Sequence, residues 1–390
     1  MHAPTSAVGS NTRSIAAAIG AISVVGIGLG LSIPLLSIEL ESRGIARTWI
    51  GLNTAMGGIA TIVTAPFMPA MVRRFGAGTM LIGAILLAMA SLIGFKATGW
   101  FPLWFPLRFA FGAALCVLFV VSEFWINAAS PPEKRGLIMG IYATVLSLGF
   151  AAGPAILGLV GIQGWTPYLI GAAIFLAGTI PVFIGAAEAP EITSESHTGV
   201  FALLRLAPSA TLAAFVFGAV ETAQLGFLPI YGLRRGLSEV DASLLLTIAV
   251  LGNVLFQIPL GILSDRMDRR RLLLASATAG LIGVSVLPLL PAQGWSIAAA
   301  VFLTTGAAGG MYTIGLAHLG ARFRGAELAA ANSAFVMLYS VGLTLGPPLT
   351  GVGMDALDPH GYALTLAALF AVYVAVVGWR VAHVPPSPHR

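Results

Sequence analysis

Between residues 15 and 382 the chain passes through twelve apolar stretches of 20 residues or more, parted by short gaps that hold most of its charges. A bilayer core about 30 Å thick is crossed by about 20 residues of helix, and in lipid only helices and closed barrels satisfy their own backbone. The pattern therefore predicts an all-α membrane protein with twelve transmembrane helices. The stretches lie at 15–39, 48–71, 78–97, 101–124, 137–160, 166–187, 208–231, 241–264, 271–290, 295–318, 328–350 and 361–382. Only 9% of residues are Asp, Glu, Lys or Arg, against roughly 25% in a soluble domain. The 47 glycines follow no triplet period, which excludes collagen and assigns them to membrane helices. The first stretch is longer than the ~7–15 apolar residues of a signal peptide, so it reads as a retained span.

The net charge of +5 is spread over the gaps and forms no basic patch, so nucleic acid is not an expected partner. Its distribution sets a topology instead. With an even number of spans both termini share one side, and the loops of that side carry Arg13, Arg73, Arg74, Lys134, Arg135, Arg205, Arg266, Arg269, Arg270, Arg271, Arg322, Arg324, Arg380 and Arg390. The other side has Arg43, Arg47, Lys96, Arg234 and Arg235. Since cytoplasmic loops concentrate Lys and Arg, both ends are predicted to be cytoplasmic. The single cysteine, Cys116, lies in an apolar run and supports neither a disulfide nor a thiol metal site.

The longest polar connection, 188–207, contains Glu188, Glu191, Glu195, His197 and Arg205 and divides the chain into six spans on each side. The predicted organisation is a bundle over 1–187, a cytoplasmic connection over 188–207 and a second bundle over 208–390. A shift of 193 residues superposes Pro66 on Pro259, Arg73 on Arg266, Gly149 on Gly342, Gly153 on Gly346, Pro154 on Pro347 and Gly158 on Gly351. A shared G-x-x-x-G-P-x-x-x-G is not a chance product of glycine abundance. Two pseudo-symmetric six-helix bundles follow, the repeat plan common in secondary transporters, which place the binding site near mid-membrane.

After the eighth span comes Gly261-Ile-Leu-Ser-Asp265-Arg266-Met-Asp268-Arg269-Arg270-Arg271. It resembles the G-x-x-x-D-R-x-G-R-R loop signature of the major facilitator superfamily, with Asp268 where that family usually has Gly. Gly261 is expected to let a helix end pack closely, and Asp265 to supply an anion beside Arg266, Arg269 and Arg270. The first-half counterpart, Pro69 to Gly76, keeps Arg73 and Arg74 but has no Asp. Arg108-Phe-Ala-Phe-Gly112 is similar to the R-x-x-x-G element of drug and proton antiporters of that superfamily, and Gly149-Phe-Ala-Ala-Gly153-Pro154 to their G-x-x-x-G-P element. Small residues a turn apart let helices approach, and a proline weakens the backbone ladder where a bend is useful. The resemblance spans all twelve stretches. Ser122 to Asn127 and Tyr231 to Arg271 further resemble the YcaD-type bacterial transporters.

A charge at mid-bilayer costs about 2.5–3.5 kcal/mol on insertion scales, so each needs a partner or a task. Arg108, Glu123 and Glu221 stand within spans. Arg108 and Glu123 are about 22 Å apart along one helix and cannot pair. Arg108 and Glu221 occupy the outer halves of opposite bundles, with Asn53 and Gln224 at similar depth, and these four are the candidates for proton or substrate coupling. Glu221 holds its proton in apolar surroundings and releases it more readily when a cation such as Arg108 approaches. The competing expectation is a static pair of Arg108 with Glu221 or Glu39. Glu123, at the cytoplasmic end of the fourth span, is expected to replace the missing loop Asp as a latch for Arg73 and Arg74, with a cytoplasm-facing proton site as the alternative.

Other polar residues carry less. His318 reads as interfacial, and Asn127, Tyr142, Tyr312, Asn332 and Tyr339 either line a cavity or bond helix to helix. Gly26-Ile-Gly-Leu-Gly30 has no preceding strand and is no nucleotide loop. No Walker, H-E-x-x-H or G-x-S-x-G sequence is present, and no signalling segment is expected in tails of about 14 and 8 residues. The resemblance implies a transporter, not an enzyme or a sensor, working by alternating access in a bacterial inner membrane. The expected cargo is a small neutral or amphipathic organic molecule exported against protons, or in reverse a small carboxylate imported on Arg108. No cofactor or metal is expected beyond the coupling proton, and no partner beyond substrate and lipid bilayer for a monomer.

Overall fold

The computed structural model describes residues 6–131, 135–185, 208–292, 294–323 and 325–383. The connection expected at 188–207 lies outside the described residues, as do Lys134, Arg324, Arg390 and the side chains of Arg135, Asn127 and Asn332. Among the described residues every regular element is helical. In chain order they are α1 (Ser6–Ser42), α2 (Arg47–Thr64), α3 (Met68–Phe75), α4 (Ala77–Ala97), α5 (Trp104–Ala129), α6 (Arg135–Val160) and α7 (Thr166–Gly185). The second half supplies α8 (Pro208–Arg234), α9 (Glu239–Arg266), α10 (Arg269–Val286), α11 (Trp295–Arg322), α12 (Gly325–Ala356) and α13 (Gly361–His383). Twelve of these described helices, all but the short α3, are long and apolar enough to cross a membrane.

The second span departs from the straight helix expected over 48–71. It ends at Thr64, makes a 3-10 turn over Ala65–Phe67, and resumes as α3, which carries Arg73 and Arg74 in its last turn. Pro66 explains the break, because it has no N–H to donate and its ring crowds the preceding turn. Pro259, its repeat counterpart, sits inside α9 without ending it. Elsewhere local chemistry sets the ends. Ser238 caps α9 by accepting the Asp241 N–H at 3.1 Å, and Asp268 caps α10 by accepting from Arg270 and Arg271 at 2.9 and 3.1 Å.

The described residues group into two compact units. One takes the described chain up to Leu35 and resumes at Met56; the other takes Leu36–Ala55 and the described residues from Pro208 on. In the first unit α4 packs against α5 and α7, and α1 crosses α6. In the second, α10 packs likewise against α11 and α13, and α8 crosses α12. The 193-residue repeat reaches the contacts themselves. A Cβ on Gly149 would lie 2.9 Å from Gly26 Cα, and one on Gly342 would lie 2.8 Å from the nitrogen of Ala219, the residue 193 beyond Gly26. Gly153 meets the backbone of Gly30 and Leu31, and Gly346 meets that of Ala219. Backbones this close gain dispersion energy where burial from lipid offers none.

Each unit exposes large apolar side chains. Leu159, Leu289, Phe183 and Ile258 are between 73% and 87% exposed, which water would penalise and acyl chains would not. Exposed tryptophans mark the starts of α2 (Trp49), α5 (Trp100), α7 (Trp165) and α11 (Trp295), the positions an aromatic belt takes at a membrane interface.

Candidate functional site

In the second unit Glu221 sits midway along α8, partly buried, where the Tyr339 hydroxyl of α12 donates to Glu221 Oε2 at 2.5 Å. No ion pair includes Glu221 among the described residues. One turn earlier Phe217 lies against both Tyr312 of α11 and Tyr339. The carboxyl group therefore stands among aromatic side chains with one hydroxyl donor, a setting that favours neither a permanent charge nor a permanent ion pair. Gln224, less than one turn further along α8, is turned elsewhere. Its amide donates to Thr305 Oγ1 on α11 at 2.6 Å, beside a small cavity lined by Val220, Thr304, Tyr362 and Leu366.

Arg108 in the first unit is 3% exposed, and its Nη1 has no hydrogen-bond partner among the described residues. It stands one turn before Gly112, where a Cβ would lie 2.7 Å from Gly57 Cα, so α5 and α2 approach closely beside it. The static pairs expected from sequence meet other partners here: Glu39 takes Arg43 at 2.9 Å, and Glu221 takes Tyr339. Asn53 is also buried, and its Nδ2 has no hydrogen-bond partner among the described residues. A buried guanidinium nitrogen and a buried amide nitrogen left unbonded are donors held ready for an acceptor.

The expected latch residues fall at one kind of helix end. Glu123 is exposed near the end of α5, and α3, which carries Arg73 and Arg74, packs against α5. Beside Glu123, Ser122 and Tyr142 share a hydrogen bond of 3.0 Å. On the second unit Asp265 pairs with Arg269 at 3.4 Å, Arg270 donates to the carbonyl of Arg380 at 2.7 Å, and Arg266 is exposed at the end of α9. Gly261 does not make the close packing expected of it. A Cβ there would meet only Thr313 Cγ2, at an ordinary 3.7 Å. The tight crossing of α9 on α11 falls instead at Gly252, Gly306 and Gly309.

A second polar cluster was invisible in the sequence beyond its count of loop charges. Within the second unit Arg47, buried at the start of α2, donates to Glu41 at 3.3 Å, Asp358 at 3.2 Å and the Met354 carbonyl at 3.3 Å. Arg234 donates to the same Glu41 oxygen at 2.9 Å. Asp355, in the last turn of α12, accepts from the backbone N–H groups of Arg47 and Thr48 at 3.0 and 2.8 Å and from the Thr48 hydroxyl at 2.7 Å. Thus α2 has its N-terminus capped by a carboxylate 308 residues away in the chain. Glu41 and Arg234 are themselves separated by 193 residues, so one repeat position carries opposite charges in the two halves.

Twelve described helices long and apolar enough to cross a membrane, repeated glycine crossings and buried donors left unbonded among the described residues define a polytopic membrane protein. Sequence comparison agrees: residues 18–238 and 210–390 each match the family model of the Major Facilitator Superfamily. The chain belongs to that superfamily and is a secondary transporter, not an enzyme. It is 28% identical over 364 residues to the MFS-type transporter YfkF of Bacillus subtilis, covering 91% of this chain and 93% of that protein. It is 22% identical over 381 residues to the MFS-type transporter YcaD of Salmonella arizonae, covering 97% and 98%. Among solved structures it resembles the nucleoside transporter NupG (TM-score 0.75, 16% identity, covering 96% of this chain and 98% of that one). A bacterial homologue of the human lysosomal transporter Spinster, in an inward-facing and unoccupied conformation, gives a TM-score of 0.73 at 14% identity, covering 96% of each. At those identities the likeness is one of fold.

Proposed function

We propose that this transporter exchanges a small neutral or amphipathic organic molecule for protons by alternating access, exporting it across a bacterial inner membrane, as a monomer with both termini in the cytoplasm. The observation that carries the reading is Glu221, a mid-span carboxyl group held by one tyrosine hydroxyl and, among the described residues, by no cation. Burial opposes its ionisation, while water or an approaching cation favours it, so access that alternates between two sides also loads and unloads a proton. Arg108 and Asn53 supply donors in the outer half of their spans, and no cofactor is required beyond the proton. A pH-sensitive dye inside proteoliposomes, with candidate compounds added outside, tests this. Compound-driven proton movement is expected in the wild type and abolished in Glu221→Gln, with a large loss in Arg108→Ala. Movement that survives in both variants removes these residues from the coupling site.

The unbonded Nη1 of Arg108 favours a second reading, import of a small carboxylate together with protons. Uptake of such an acid, lost in Arg108→Ala and partly kept in Arg108→Lys, would distinguish it from export.

A further inference from the structure

Arginines gather where four helices of the second unit end. Arg266 closes α9, Arg269, Arg270 and Arg271 open α10, and Arg322 and Arg380 stand in the last turns of α11 and α13. They share one neighbourhood: His318 lies within electrostatic reach of Arg322, Arg269 and Arg270, and Arg270 donates to the Arg380 carbonyl at 2.7 Å. The aspartates described beside them are engaged, Asp265 with Arg269 at 3.4 Å and Asp268 with the first amides of α10. Arg269 and Arg380 each keep a buried Nε with no hydrogen-bond partner among the described residues. Like charges crowded in this way repel one another, and an added anion relieves the repulsion.

The seam between α10 and α13 shows where that anion comes from. A Cβ on Gly280 would lie 2.7 Å from the Phe370 ring, and one on Gly378 would lie 3.8 Å from Leu274, so the two helices stay in contact up to the arginines. Exposed residues recur at helical spacing on both: Arg271, Ala275 and Ile282 on α10, and Val372, Val376 and Trp379 on α13. Each stripe is apolar along the span and ends in a group suited to a membrane interface, a guanidinium on one and an indole on the other. The Trp379 ring is further held by stacking on His383, with centroids 5.3 Å apart. Acyl chains match the stripes, and the headgroup above them meets the arginines. A choline or ethanolamine ammonium would face these guanidinium groups as a like charge, whereas a headgroup of net negative charge does not. Free phosphate would make the same charge contact but leave both stripes unused.

We propose that the end of the α10–α13 seam binds the phosphodiester of an acidic phospholipid, with Arg271 and Arg380 as its ligands and the acyl chains along the two exposed stripes. Arg270 ties the two helix ends together and so sets the spacing of the ligands on either side of it. The site uses none of the residues read as coupling groups, so its fate is independent of theirs.

The test is native mass spectrometry of the full chain, purified in detergent and titrated with dioleoyl phosphatidylglycerol or with dioleoyl phosphatidylcholine. Phosphatidylglycerol is expected to bind at least about tenfold more tightly. Arg271→Gln and Arg380→Gln should each weaken it about three- to tenfold without changing the binding of phosphatidylcholine, and Arg271→Lys should keep most of the affinity. Arg271 is exposed, so its replacement leaves the fold intact. Arg13→Gln, which removes one exposed arginine from the first unit, should have no effect. Millimolar inorganic phosphate should displace little of the lipid. Equal binding of the two lipids, an equal loss in Arg13→Gln, or full displacement by inorganic phosphate overturns the proposal, the last by assigning the arginines to a free anion.

Discussion

At the scale of a residue, Gly153 and Gly261 show how differently two glycines of one family motif set can be used. A Cβ at Gly153 would fall inside the backbone of Gly30 and Leu31, whereas at Gly261 it would find open space and one methyl group at 3.7 Å. Forcing apart two packed backbones costs about 1–3 kcal/mol, and no such cost attends an ordinary contact. Gly153→Ala is therefore expected to lower the thermal midpoint of the purified protein by several degrees, while Gly261→Ala leaves it within error. Equal shifts in the two variants would show that the α1 and α6 backbones are not in contact. The same scale explains what could be read of the site. Glu221 and Arg108 announced themselves because charge is rare and costly at mid-span. Tyr339, 118 residues from Glu221, was one polar residue among several, and nothing local marked it as the donor.

Elements behave as a sequence reading expects where their ends are capped from nearby. Ser238 and Asp268 are local caps, and Asp268 gains its role by standing where the family signature usually has Gly. The start of α2 is different, since its first amides are held by Asp355 from the end of α12. Loss of a helix cap costs about 0.5–2 kcal/mol. Asp355→Ala is expected to speed hydrogen exchange at the Arg47 and Thr48 amides about tenfold or more while leaving the Asp268-capped start of α10 unchanged. Unaltered exchange at both amides would mean that Asp355 is not the cap. Arg47 strengthens the attachment, because its buried guanidinium serves Glu41 and Asp358 together, and a buried ion loses several kcal/mol when stripped of its partners.

For the whole molecule the informative feature is how the chain is shared between its two units. The segment Leu36–Ala55 belongs with the second unit, yet it is continuous at both ends with helices of the first. In the proposed alternating access, attachments at the helix ends proposed to be cytoplasmic would form and break in turn. Glu123 with Arg73 and Arg74 is the proposed cytoplasmic latch. Glu123→Gln should shift the reactivity of single cysteines placed on the two faces in opposite directions by severalfold, while compound-driven proton movement persists. Labelling rates unchanged on both faces would argue that Glu123 holds nothing shut.

What the sequence determined by itself was everything that depends on local sums: the number of spans, the 193-residue repeat, the loop charges and the presence of costly ions at mid-depth. Hydropathy adds along the chain and needs no knowledge of neighbours, so twelve helices were legible and their ends were right to within about six residues, apart from the Pro66 break and the start of α1, which lies nine residues earlier, at Ser6. Only the tertiary structure decided that Tyr339 serves Glu221, that Gln224 turns to Thr305, that Gly252 and not Gly261 is the tight crossing, and that Asp355 caps α2. The physical reason is that membrane helices are apolar nearly all round. A soluble helix writes its rotation into an amphipathic stripe, but here no stripe tells which face meets which neighbour until the helices have packed.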